Sequence, residues 1–329
     1  MRNLITDIPG VRVGQADDHA LASGVTVIVF DRAVTGSVDV RGGGPGTRET
    51  ALLDPAQTVE GIDAIVLSGG SAFGLDAASG VQAYLREQGR GFRIREAVVP
   101  IVPGAILFDL LNGGDKAWGR YPPYRELGYA AAASASSDMT LGSAGAGLGA
   151  TTATLKGGVG SASAMTRAGI TVGALVVVNA VGTTTVGDGP HFWAAPFEQD
   201  GEFGGRGVAP RVSASDLAIR AKGGPRENTT IAVIATDAKL NKAQANRLAV
   251  MAQDGLARAI YPVHTPLDGD VIFSAATGAI ELPDPHYGMA ELGMIAGNVM
   301  ARAVARGVYA ATALSFPGAL PSWRDRFGR

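Results

Sequence analysis

Four apolar, β-branched runs constrain this chain most: VTVIVF (Val25–Phe30), AIVLSGG (Ala64–Gly70), ITVGALVVVNAVG (Ile170–Gly182) and TTIAVIATDA (Thr229–Ala238). Bounded by turn residues, such runs read as buried strands. Helical patterns lie between them. Gly74 to Gln88 carries Leu75, Ala78, Val81 and Leu85 on one stripe and stops at Gly89; Leu240 to Ile260 and Ala290 to Ala305 give two more. Strands interleaved with helices predict an α/β fold, and 329 residues suffice for one large domain or two small ones.

The 47 glycines have no collagen-type period, so they point to tight turns and close backbone packing. The segment Ala130 to Ala164 concentrates small residues with almost no charge, which argues for packed backbone rather than a linker. A formal net charge of −2 without a long basic run gives nothing to attract nucleic acid or an anionic membrane. There is no cysteine, which removes disulfides, thiol catalysis and thiolate metal sites. The start MRNLITDIPGVRVG has no apolar core of a leader, and no stretch has the length of a membrane span. A cytoplasmic globular protein is the expectation.

From about Asp188 to Asn228 the chain reads as one exposed loop, far longer than ordinary connections. It ends at Asn228-Thr229-Thr230, where polar loop becomes apolar strand. Taken alone, Asn-Thr-Thr is most often an ordinary strand entry. A catalytic reading needs a base, an oxyanion donor and groups that tune them. Asp268 and Asp270 sit in HTPLDGDVIF, and alternate residues of an extended segment address one side. Such a pair is also a weak Mg²⁺ or Ca²⁺ signal, or a hydrated turn. Lys156 is the sole charge between Asp138 and Arg167, either snorkelling outward or held near a buried carboxylate. Asn179 follows LVVV, where a side-chain amide needs hydrogen bonds and can donate to an oxyanion. RGGGPGT and LSGGSAFG lack the Lys-Ser/Thr of a phosphate loop and read as close-approach turns. His19, His191, His264 and His286 have no zinc spacing. No metal and no cofactor is expected.

The blocks ITDIPGVRVG, DVRGGGPGTRET, VLSGGSAFGLDAASGV and NTTIAVIATDAKLNKAQ together resemble one family. It is the self-processing N-terminal-nucleophile hydrolases: L-aminopeptidase/D-esterase, the β-aminopeptidases and the nylon-oligomer hydrolases. The resemblance runs over nearly the whole chain. It implies a four-layer α/β/β/α sandwich forming one globular domain, cut between Asn228 and Thr229 into a large subunit (1–228) and a small one (229–329). It also implies a homo-oligomer of cut pairs, a tetramer being expected. The Asn-Thr-Thr junction is closest to the nylon-oligomer endohydrolases, since the aminopeptidases cut before serine. On that pattern Thr229 is the nucleophile, Asn179 the oxyanion donor and Lys156 a nearby positive charge, with Asp268 and Asp270 orienting the freed amine. Phe108 stands where relatives use a tyrosine, which alters a substrate contact. The substrate implied is a small-molecule or peptide amide. The rival readings are an aminopeptidase, an acetyltransferase of the ornithine type, and an uncut binding protein.

Overall fold

The computed structural model describes residues 1–222 and 228–328. The last part of the long loop, residues 223–227, lies outside them. In chain order the strands are β1 (Val11–Asp18), β2 (Ser23–Val40), β3 (Thr47–Arg48), β4 (Gly61–Ser68), β5 (Phe92–Ile94), β6 (Ala97–Val99), β7 (Gly104–Ile106), β8 (Gly158–Met165), β9 (Thr171–Asn179), β10 (Thr229–Ala238) and β11 (Val271–Ile280). The helices are α1 (Ala77–Glu87), α2 (Tyr124–Ala133), α3 (Lys242–Ala259), α4 (Tyr287–Ala310) and the short α5 (Trp323–Phe327). β5 and β6 form a separate hairpin; the other strands join in the order β3-β7-β4-β2-β11-β10-β9-β8, with β1 also on β2.

The long strand β2 turns this connected sheet into two layers. Its first half pairs with β1 and β4, its second half with β11, and the register slips between Val29 and Val34. A slip of this kind bends a strand and lets it serve two sheets. The period-2 alternation then fills three cores. Val25, Val27, Val29, Ala64 and Val66 face α1 and α2. Ile28, Phe30, Ile65 and Leu67 face Leu175, Val177, Ile231, Val233, Val271 and Phe273 between the sheets. Val176, Val178, Ala232, Ile234 and Ile272 face α3 and α4. Helix, sheet, sheet, helix is the expected four-layer sandwich.

Helices α1, α3 and α4 follow from the sequence pattern. In α3, Leu248, Ala249, Ala252, Leu256 and Ala259 make one buried stripe, and Asn241 with Gln244 closes a capping box at its start. The small-residue segment is packed backbone, as its composition predicts. A methyl added to Gly160 in β8 would sit 1.8 Å from the carbonyl oxygen of Ala303 in α4, a contact no side chain tolerates. Replacing Gly160 with alanine should therefore cost about 1–3 kcal/mol or more in urea unfolding. Gly189→Ala, where the nearest atom would be an ordinary 3.4 Å away, should stay within about 0.5 kcal/mol of the parent.

Candidate active site

Strand directions bring the candidate residues together. β10 runs antiparallel to β9 and parallel to β11. The end of β9 and the starts of β10 and β11 therefore meet. Thr229 pairs with Asn179 in register, and Asn228 bridges to Asp268. Asn179, Asn228, Thr229, Asp268 and Asp270 are all buried, with at most 4% of their surface exposed.

The Thr229 hydroxyl donates to the carbonyl oxygen of Asn228 at 2.5 Å. That oxygen also accepts the backbone N–H of Gly269 at 3.0 Å. A methyl on Gly269 would approach Thr229 Oγ1 to 2.7 Å, so only glycine brings an N–H this close. The side-chain amide of Asn228 is buried with neither polar atom hydrogen-bonded, a costly arrangement.

The two aspartates lie on either side of Gly269. Asp270 Oδ1 accepts the Thr230 N–H at 2.8 Å, while Oδ2 accepts the His264 N–H at 3.1 Å and lies 2.9 Å from His264 Nδ1. Asp268 accepts Val181 N–H at 3.2 Å, and Thr265 N–H and Oγ1 at 2.9 and 2.8 Å. Burial, reinforced by the charge of Asp270, raises the Asp268 carboxyl above its usual range. These N–H and O–H donors are partners an anion attracts, and a cation would have to displace them. Among the described residues no cluster of three His, Asp or Glu side chains is arranged to hold a metal. The glycine-rich RGGGPGT block is the seat of this turn. Gly44 N–H donates to Asp268 O at 2.8 Å, and a methyl on Gly42 would strike Asp270 N at 2.2 Å.

Asn179 ties the strand ends to a neighbouring cavity. Its Nδ2 donates to Phe108 O at 3.2 Å, and its Oδ1 accepts Thr151 N–H at 3.0 Å and Lys222 Nζ at 3.1 Å. Phe108, Thr151, Lys156 and Lys222 all line a cavity of about 260 Å³, walled on its other side by Leu314, Pro317, Ala319 and Leu320. Phe108 thus meets Asn179 through its main chain, where its ring chemistry is immaterial.

Lys156 is 1% exposed, and its Nζ donates to the carbonyls of Gly147, Ala150 and Gly157, each at 2.8 Å. Of the two sequence readings, burial wins. The nearby carboxylate is Asp109, fully buried, which accepts Ser23 Oγ at 2.6 Å and Gly70 N–H at 2.7 Å. Burial pushes the Asp109 carboxyl up. Sequence reading missed Asp109, Asn112, Gly269 and His264. The FDL step from Phe108 to Leu110 and the HxxxxxD spacing from His264 to Asp270 were the available signals.

Burial lowers the Lys156 ammonium to about 7, offset in part by Asp109. Three carbonyl acceptors call for all three ammonium protons, so the charged form is held at and below neutrality. Above about 7 the unfolded chain, with a lysine near 10.4, binds more protons than the fold, so stability from this group rises with pH in that window. Relative to Lys156→Met, wild-type protein should gain up to about 1.4 kcal/mol per pH unit between pH 7 and 9 in urea unfolding. An unchanged difference would mean the residue keeps its charge.

The model of peptidase family S58 matches residues 3–319. An uncharacterized aminopeptidase of Mycobacterium bovis is 44% identical over 99% of this chain and 98% of its own length. A 6-aminohexanoate-oligomer endohydrolase of a Kocuria species is 29% identical, over 84% of this chain and 76% of its own. In the solved structures, the L-aminopeptidase D-Ala-esterase/amidase of Ochrobactrum anthropi, described as a variant of the Ntn-hydrolase fold, superposes with a TM-score of 0.72. It covers 98% of this chain and 91% of that one, at 20% identity. The chain belongs to peptidase family S58 and is a hydrolase with the N-terminal-nucleophile fold.

Proposed function

We propose that this protein cuts itself between Asn228 and Thr229 and then works as an N-terminal-threonine amidohydrolase. The observation that carries the reading is the pair of donors on one carbonyl, Thr229 Oγ1 and Gly269 N–H on Asn228 O. In the uncut chain the Thr229 oxygen attacks the Asn228 carbonyl carbon. The C–N bond breaks, the hydroxyl proton passes to the Thr229 nitrogen, and an ester results. Gly269 N–H stabilises the negative oxygen that develops, a contact whose loss typically costs about 10²–10³ in rate. Water then opens the ester, leaving an Asn228 carboxylate and a free Thr229 amine. Cutting also releases the buried Asn228 amide from its unpaired position.

In turnover the Thr229 amine, with an ordinary pKa of about 7.7–8.0, takes the hydroxyl proton as the oxygen attacks a substrate amide. The leaving amine carries that proton away, and water resolves the acyl-enzyme. The branched Cβ of threonine restricts χ1 and pre-aims the nucleophile. Asn179 donates to the substrate oxyanion, Lys156 supplies positive field from the cavity floor, and Asp268 and Asp270 orient the amine.

Two substrate readings remain, each favoured by an observation. Leu111, Leu314, Pro317 and Leu320 give the cavity an apolar wall suited to methylene chains, which supports cleavage of internal amides in 6-aminohexanoate oligomers. Against it, Asp109 and Asn112 line the same cavity, and Asn112 Oδ1 is buried without a partner, so both residues bring acceptors of the kind a substrate ammonium needs. The 44% identical relatives named as aminopeptidases lean the same way.

Purified protein should give chains of roughly 23 and 10 kDa by intact mass, the smaller beginning TTIAVIATDA. Thr229→Ala should remain one chain and hydrolyse no amide; wild-type rates from that variant would move the nucleophile elsewhere. On a linear 6-aminohexanoate oligomer, turnover that survives N-acetylation supports the endo-acting reading. Strict need for a free amine, with fast cleavage of amino-acid p-nitroanilides, makes the protein an aminopeptidase.

A further inference from the structure

His264 belongs to none of the motifs that define the family resemblance, yet it grips the central carboxylate twice. Its backbone N–H donates to Asp270 Oδ2 at 3.1 Å, and its ring Nδ1 lies 2.9 Å from the same oxygen. The Asp270 side chain is 1% exposed and that of His264 22%. Because Nδ1 faces a carboxylate, the ring proton sits on that nitrogen. His264 also has φ +55°, in the left-handed region that few non-glycine residues adopt, histidine with asparagine and aspartate being the more tolerant of them. Strain of this kind persists where surrounding structure over-determines it, and such residues cluster at functional sites.

A carboxylate on a short side chain can rotate about χ2, and both of its oxygens are equivalent until something distinguishes them. Here Oδ2 is committed to His264 by two donors. Oδ1 is thereby turned toward the nucleophile strand, where it accepts the Thr230 N–H at 2.8 Å. Thr229 is one residue away, and its nitrogen becomes a free amine on cutting. We infer that His264 is a positioning residue: it locks the rotation of Asp270 so that Oδ1 holds the Thr229 amine. The role rests on the threonine-nucleophile reading proposed above, and it adds a residue to that machinery. Its hydrogen bonds among the described residues go to Asp270, so it acts through that carboxylate.

Three substitutions separate the ring hydrogen bond from the backbone strain. His264→Asn keeps a donor at the position of Nδ1 and tolerates positive φ. His264→Gly accepts the backbone but has no donor, and His264→Ala lacks both. All are assayed as full-length protein for self-cutting, thermal midpoint, and kcat and KM on an amide that wild type hydrolyses. The expected result is a kcat for Asn within about threefold of wild type, and falls of about tenfold or more for Gly and Ala with KM little changed. If Gly and Ala stop at the uncut chain while Asn matures, the same role is read at the earlier step.

Wild-type kcat in His264→Gly would overturn the inference, because the ring contact would then be idle. Equal losses in all three variants, tracking a lower thermal midpoint, would overturn it too and reduce His264 to a loop staple. Failure of the threonine reading shows up separately, in wild type that stays uncut or in an active Thr229→Ala.

Discussion

Strand β10 is buried along all ten of its residues, and the rest of the site depends on that burial. A strand with no exposed residue needs a partner on each edge and a packed layer on each face, or its backbone groups go unpaired. It finds β9 on one edge and β11 on the other, with the inter-sheet core on one face and α3 and α4 on the other. Because β11 is parallel to it, the turn that launches β11 lies beside the turn that launches β10. Because β9 is antiparallel, its last residue lies there as well. Three segments remote in sequence, ending or starting at Asn179, Asn228 and Asp268, converge for reasons of strand direction alone.

That convergence gathers polar groups where water is scarce, and each is provided for locally. The Asp270 carboxylate is met by His264 and Thr230, the Asp268 carboxylate by Val181 and Thr265, and Lys156 by three carbonyls. Isolated, such groups would cost several kcal/mol each to bury. The Asn228 amide, by contrast, is unpaired on both atoms at the bond proposed to be cut. Thr230 Oγ1, two residues on, is likewise buried without a partner, so three unpaired polar atoms flank the bond proposed to be cut, and others lie elsewhere in the core at Thr184, Gln253, Ser274 and Thr277.

Much of this was legible in the sequence, and the failures have physical causes. Apolar runs identified β4, β9 and β10 because those strands are buried on both faces. β2 was read as Val25–Phe30, but it continues to Val40 through Asp31, Arg32 and other polar residues. From Thr35 to Val40 the strand is held by pairing to β11, and hydropathy does not register edge hydrogen bonds. Helix α2 was missed because YRELGYAAAA follows two prolines and merges into the small-residue segment. Asn179, Thr229 and the two aspartates were found as chemistry-bearing residues at strand ends. Lys156 stood out as an isolated charge, although its choice between solvent and burial required the three carbonyls to be seen. His264 and Asp109 gave only weak cues, the HxxxxxD spacing and the FDL step, since their importance lies in partners that only the fold supplies.

The proposed cut makes one further demand on the architecture. Breaking Asn228–Thr229 leaves β10 with the small chain and β9 with the large one, so the register from Thr229 to Thr236 becomes an interface between chains. Both cores that flank β10 take residues from each side of the break, Val176 and Leu175 from one, Ile234 and Val233 from the other. The cavity is likewise shared, with Phe108 and Lys156 before the break and Leu314 and Leu320 after it. Lys156 N–H even donates to Pro321 O at 2.8 Å across that division. One peptide bond contributes little to holding such surfaces together compared with a buried ladder and two apolar cores. On the proposed mechanism the fold therefore gives up that bond to obtain a free amine, and keeps the strand start that carries the amine beside Asp270.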